Sequence, residues 1–400
     1  MTVFPLRPAR SFAALLCVAV AAGGAGCGRA TSADNPTAVK PKVGVRGNVD
    51  AAADLGFPTF ATKNTTRLAG SDPVADAAAV TQIVYPSTTP ATRPQAVTFV
   101  DAGDWRTALA ASVLNAPPLN APILYTRGTA IPAATTTALN ELQPSGSKAA
   151  AAAQVIRVGT LAKPGALRTT DIRGKDPIAL ARGIDAFATA ARGKPSPRVM
   201  LVTADDPAFA APAAAWAATS GDPVLFTHKD SVPAATIAAI KTHKKPKIYV
   251  LGPSTVITPK VTKQLKGLGK VIRLGGQNPI TNAIEFAAFA DGDFGWGAAN
   301  PGHGLVVIPR GADPATAAAV APLSASGTYG PSLLLSSPTG LDAQLGAYLK
   351  DIQPAFQTNA ARGFYNHAWL VGDTKAISTA LQGEIDRSLE TVPLDTGTAK

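Results

Sequence analysis

Five aspartates stand where a catalytic or ligand-binding carboxylate would be useful. Asp101 and Asp104 follow the run "AVTFV", Asp205 and Asp206 follow "RVMLVT", and Asp313 follows "GLVVIP". Each run is apolar and often β-branched, as a buried parallel strand would be, and an alanine-rich helical stretch follows each turn. The carboxylates should therefore sit at C-terminal strand ends, the edge on which open α/β sheets bind ligands. Paired carboxylates can share acid–base work, but these belong to separate parts of the chain. The plainer reading is that each caps the helix behind it. The histidines His228, His243, His303 and His367 fall in different turns and form no HExxH or His/Cys cluster. There is no Gly-x-Ser-x-Gly elbow; "LGGQNP" lacks the dinucleotide spacing, and "KGLGKV" lacks the phosphate-loop spacing. The expectation is a protein without catalysis, cofactor or metal.

The elements that position these turns recur three times. "TTRLAGSDPVADAAAV", "LRTTDIRGKDPIALARGI" and "VIRLGGQNPITNAIEF" place Pro73, Pro177 and Pro279 at offsets of 104 and 102 residues. In each, Asp72, Asp176 or Asn278 can cap a helix whose first turn takes the proline, where a missing N–H costs nothing. The aspartate turns form the second recurring block. The third is "APILYTRGTAIPAATTTAL", "DPVLFTHKDSVPAATIAAI" and "PSLLLSSPTGLDAQLGAYL". The fourth is "AQVIRVGTLAKP", "KIYVLGPSTVITPKVTKQL" and "HAWLVGDTKAISTALQGEI", whose first copy lacks the final helix. Strand and helix alternate throughout, which predicts α/β modules of Rossmann or flavodoxin type, with parallel sheets covered on both faces. In the third block the turn residues Thr126 and Arg127, with their counterparts Thr227 and His228, share the expected ligand edge.

The beginning of the chain has a different character. Residues 1–27 carry Arg7 and Arg10, then the apolar "SFAALLCVAVAAGGAG", and read as an export signal too short to span a membrane. Cys27 closes "GGAGC", which resembles a bacterial lipobox, although Gly24 stands where leucine is usual. The resemblance implies acylation of Cys27 (palmitate) and a lipid anchor in the membrane; cleavage after "AVA" at Ala19 to Ala21 would instead release a soluble protein with a free thiol. Residues 28–64 read as a polar tether. The net charge is +11, and a basic exported protein meets anionic lipid and wall polymers. Aromatic residues are only 6% of the chain, and no basic stretch interleaves them as a nucleic-acid platform does.

The ordered blocks resemble the cell wall-binding repeat 2 family, found in threes on exported Gram-positive proteins. "RLAG" (67–70) and "RLGG" (273–276), "DWRTALAA", the paired "APILYT" and "DPVLFT" segments and "YVLGPSTVITPKV" carry the likeness. The family's usual Arg-Tyr-x-Thr-Ala is replaced by "SDPVADAA", "KDPIALAR" and "QNPITNAI", and copy three carries the insertion "DGDFGWGAANPGHG". The resemblance implies three repeats, at 65–166, 167–270 and 271–390, in a pseudo-threefold arrangement, and a teichoic-type or similar anionic polymer as partner. Enzymes with such repeats carry a separate catalytic domain, for which this chain has no room.

Residues 241–270 hold eight lysines and no acid. On the helix after Pro259, Lys260, Lys263 and Lys266 share one face and Val261, Leu265 and Leu268 the other. That face is either merely solvated or a landing strip for polyanions. Trp296, in the glycine-rich insertion, is the tryptophan placed to stack on a sugar. Two other functions are open to such a chain. One is a solute-binding lipoprotein of an ABC-type uptake system, for which two lobes and a deep cleft are expected. The other is a scaffold for protein partners.

Overall fold

The computed structural model describes residues 55–394 apart from Ser71, Leu161, Gly327 and Thr328. The export signal, Cys27 and most of the tether lie outside these residues. Strand β1 (Leu55–Ala61) runs antiparallel to β2 (Thr65–Gly70), and helix α1 (Pro73–Val84) follows. The first sheet takes β3 (Val97–Asp101), β4 (Ile123–Thr126), β5 (Val155–Val158) and β6 (Thr169–Ile172), with α2 (Trp105–Ala111) and α3 (Ala133–Leu142) between strands. Helix α4 (Pro177–Arg192) leads to the second sheet: β7 (Arg198–Thr203), α5 (Pro207–Ala210), α6 (Pro212–Ser220), β8 (Val224–Thr227), α7 (Ala234–Thr242), β9 (Lys247–Leu251), α8 (Pro259–Leu265) and β10 (Lys270–Leu274). Helix α9 (Pro279–Ala288) leads to β11 (Gly304–Pro309), α10 (Thr316–Ala325), β12 (Ser332–Leu335), α11 (Ala343–Asp351), β13 (Ala355–Phe356), β14 (His367–Val371), α12 (Thr379–Ser388) and β15 (Val392–Pro393). The small strands β13 and β15 pair with each other.

Three sheets result, in the orders β4-β3-β5-β6, β8-β7-β9-β10 and β12-β11-β14-β2-β1. All pairings in them are parallel except β1 with β2. The architecture is α/β of the Rossmann or flavodoxin kind. The sheets are out of phase with the sequence repeats. In the first two sheets the first-block strand (β6, β10) pairs with the fourth-block strand that precedes it, whereas β2, from the start of the chain, pairs with β14 near its end. Residues 55–61, inside the stretch read as a tether, form β1 at the edge of the third sheet.

The local reasons repeat with the elements. Central strands such as "VTFVD", "MLVT" and "LVVI" are buried almost throughout, as parallel strands covered on both faces must be. The linking helices α1, α4 and α9 start on Asp72, Asp176 and Asn278, whose side chains accept from backbone N–H groups at 2.7–3.0 Å, with proline next in line. Each fourth-block strand ends in glycine (Gly159, Gly252, Gly372) at positive φ, a turn that side-chain-bearing residues adopt only with strain. The alanine-rich helices α2, α6 and α10 touch one another, and α1, α4 and α9 each pack on the third-block helix and strand that follow them. Tyr125 on β4 donates to the Ala315 carbonyl at 2.7 Å, tying the first sheet to α10. No helix among the described residues is long and apolar enough to cross a membrane.

Candidate functional site

The aspartate turns do two different jobs. Asp104 and Asp206 cap α2 and α5, accepting from Thr107 N at 3.1 Å and Ala208 N at 3.0 Å, while Asp313 accepts from Ala315 N at 2.9 Å. Asp101 and Asp205 latch onto the neighbouring strand's turn. Asp101 accepts from Gly128 N at 2.7 Å; Asp205 accepts from Lys229 N at 3.1 Å and bonds His228 Nδ1 at 2.8 Å. The five carboxylates lie in three different sheets and are not brought together.

Thr126 and Thr227 do not reach solvent: both are fully buried, and their hydroxyls bond Val100 O and Thr160 Oγ1, and His228 O and Ser231 O. A threonine at the end of a buried parallel strand meets the loop's own carbonyls first. The exposed members of these turns are Arg127, paired to Asp72 at 2.7 Å, and His228. Trp296 is half-buried, edge-on to Trp216 at 5.3 Å and to Tyr329 at 5.8 Å, and the exposed ring of that cluster is Tyr329.

The lysine stretch places exposed charge on the helices and strand starts of the second sheet. Lys260, Lys263 and Lys266 are exposed along α8, while Val261 and Leu265 on its other side are fully buried. Lys244, Lys245 and Lys270 add charge at the N-terminal ends of β9 and β10, where Lys247 and Lys270 are register partners. Of the eight lysines only Lys247 forms an ion pair among the described residues, with Asp291 at 2.9 Å.

Two features carried no obvious signal in the sequence. The first is a buried arginine clamp at the "R-L-x-G" starts. Arg67, 1% exposed, gives Nε and Nη2 to Gln382 Oε1 and Nη1 to the carbonyls of Gly372 and Asp373. Arg273 does the same for the second sheet, bonding Gly252 O and Ile257 O at 2.6 Å. In the first sheet the charges are exchanged across the strand pair: Arg157 on β5 holds Asp171 on β6 at 2.8 Å, and its Nη1 still reaches Ala162 O. In all three the arginine fixes the loop at the switch point, where successive connections leave to opposite sides and a crevice opens.

The second is the floor of that crevice. One turn into each linking helix, the residue under the post-strand glycine is Leu180 in the first sheet, Asn282 in the second and Asp76 in the third. Asn282 donates to Phe209 O at 3.1 Å. Asp76 is 4% exposed, and its Oδ1 has no hydrogen-bond partner. Burial, with the Asp72 carboxylate adding to it, pushes its carboxyl up to about 7, against the lowering effect of the Gly70 N–H. A Cβ on residue 70 would stand 1.7 Å from Asp76 Oδ1, so only glycine leaves this carboxyl its place. Above it lies a groove of about 670 Å³ at the C-terminal ends of β2, β11, β12 and β14, whose rim also carries Asp72, Asp313, Asp373 and Lys375. Among the described residues no group of three or more His, Cys, Asp or Glu side chains converges as a metal site.

Solved structures share this fold. Cwp6 from Clostridium difficile matches at 17% identity with a TM-score of 0.63, over 82% of this chain and 48% of that one. Cwp8 from the same organism matches at 17% identity and TM-score 0.61, over 82% of this chain and 52% of the other. The chain thus spans about half the length of each. No family model and no curated protein sequence matches it.

Proposed function

We propose that the chain is a non-catalytic, exported protein of the cell wall-binding repeat 2 type, which holds anionic wall polymer non-covalently and is tethered to the membrane by a lipid on Cys27. The observation that carries the polymer reading is the basic face of the second unit. Seven exposed lysines without ion-pair partners among the described residues form a surface that a polyanion would neutralise. The shared fold with two cell wall proteins supports the location. The equivalent contacts of α1, α4 and α9 support a pseudo-threefold arrangement, and three sheets fit it better than the two closing lobes of a solute-binding protein. The capping and latching roles of the five aspartates support a binding module over an enzyme. Arg127 and His228, with the faces of Asp101, Asp205 and Asp313 left open by their backbone bonds, would form secondary contacts.

The test is cosedimentation with purified walls, intact or stripped of anionic polymer, at about 0.01 M and about 1 M salt, where the screening length falls from about 30 Å to about 3 Å. Retention should be strong on intact walls at low salt and lost at high salt or on stripped walls. The K260Q/K263Q/K266Q variant should be retained several-fold less, with an unchanged unfolding midpoint. Absence of wild-type retention at low salt overturns the function; undiminished retention of the variant removes these lysines from it.

A further inference from the structure

We propose that the switch-point groove of the third unit is a second binding site, of opposite electrical preference, for a small ligand bearing a primary ammonium group and about the size of an amino sugar, with Asp76 as its counter-ion.

Asp76 Oδ1 is buried without a hydrogen-bond donor. A buried carboxylate oxygen without a donor is costly, and proteins keep such groups where something else supplies the partner. Every other acid at the groove has a partner on the protein. Asp72 caps α1 through one oxygen and pairs with Arg127 through the other. Asp313 accepts from Ala315 N, and Asp373 accepts from Lys375 N and Ala376 N at 2.9 Å. Among these four acids only Asp76, which lines the groove beneath Gly70, has a buried carboxylate oxygen that no protein group bonds. Arg67, buried behind the loop of Gly372 and Asp373, spends its guanidinium on Gln382 and two carbonyls.

Charge then selects the ligand. Four carboxylates line the groove against Lys375 and the Arg127 that pairs with Asp72, a net negative balance that disfavours the polyanion proposed for the lysine face. The carboxylates do not converge as a metal site among the described residues. An ammonium would give Asp76 Oδ1 its missing donor and place a positive charge among four negative ones. The volume, about 670 Å³, lies in the range of small-molecule sites, and Pro309, Leu335 and Val371 supply apolar wall for a ring. The repeats act as built-in controls. The same position holds an amide in the second sheet and leucine in the first, so the backbone accepts both Asp76→Asn and Asp76→Leu, and the acid is not needed for the fold.

The test uses two sugars that differ only at one nitrogen. Glucosamine and N-acetylglucosamine are titrated into the full chain near pH 7.5, with binding followed by NMR shift changes around the groove and by calorimetry. Saturable binding of glucosamine and at least about tenfold weaker binding of N-acetylglucosamine are expected. Asp76→Asn should lose about tenfold or more in glucosamine affinity while still unfolding cooperatively with a midpoint no lower than wild type, and Lys375→Ala should bind more tightly because a competing cation is gone. Equal binding of the two sugars, no binding of either, or unchanged affinity in Asp76→Asn would overturn the proposal. The outcome is independent of wall retention, which the lysine variant reads separately.

Discussion

Replacing Asp76 with asparagine should stabilise the protein, and only above mildly acidic pH. The Asp76 carboxyl is raised from 3.8 to about 7 by burial and by Asp72. Between those values the folded state holds a proton that the unfolded state has released, so stability falls as pH rises across this window. Below about pH 4 both states are protonated and no penalty exists; above about pH 7 it is complete. Three pH units correspond to about 4 kcal/mol. The amide gives back about 1 kcal/mol at every pH through its own imperfectly placed N–H groups, leaving about 3 kcal/mol in favour of the variant at pH 8 and about 1 kcal/mol against it at pH 4. Urea midpoints of wild type and variant, measured from about pH 4 to 8.5, give the difference directly. A difference that does not change with pH, or a variant less stable at pH 8, would refute the reasoning. A more stable protein that has lost its amino-sugar affinity would show a site maintained at the expense of the fold.

Two further perturbations probe the buried polar groups. His243 bonds Asp185 Oδ2 at 2.9 Å and Ser196 O at 2.8 Å; burial alone would lower its pKa, but the Asp185 bond and charge outweigh this and raise it. The pair's contribution is therefore complete below the unfolded value of about 6.5 and fades as pH rises through the raised folded value. Asp185→Asn should remove that slope and cost about 3 kcal/mol near pH 6, read from urea midpoints. Arg67→Met should cost about 3–5 kcal/mol by leaving Gln382 Oε1 and the Gly372 carbonyl without donors and Asp373 O with only Ile377 N, and proteolysis should then cut near residues 372–376. Arg273→Met, half-buried with two such bonds, should cost about 1–2 kcal/mol in the same assay.

What the sequence made legible is what short-range chemistry determines. Asp72, Asp176 and Asn278 could be read as caps because an N-cap needs only its own next three residues. The missing helix of copy one follows from "RVGTLAKPG", and β5 indeed passes to β6 without one. Strand neighbours were not legible: "RLAG" looks bound to the helix it precedes, yet β2 pairs with β14, some 300 residues away, and nothing in a parallel strand marks its partner. Thr126 and Thr227 looked like surface polar residues because their acceptors are carbonyls, which every residue has. Asp76 looked like an ordinary helix residue in "SDPVADAA". The signal was the column it shares with Leu180 and Asn282, since leucine in one copy marks an interior position in all three.

That column also explains how three copies of one backbone came to differ in charge. The crevice floor sits on a linking helix, while its walls come from the sheet that the helix has just left. In the first sheet the floor is Leu180, and the charges nearby cancel in the Arg157–Asp171 pair. In the second the floor is Asn282, whose amide nitrogen bonds Phe209 O while its Oδ1 stays unpartnered but uncharged, and the free charge lies outside, on α8. In the third the walls come from the end of the chain and the floor from its beginning, so Asp76 and Asp72 meet Asp313 and Asp373 only when β2 joins β14. An acid that is harmless in the local sequence becomes a buried, unpartnered carboxylate through closure alone. The site with the strongest unmet chemistry is thus the one that no single repeat contains.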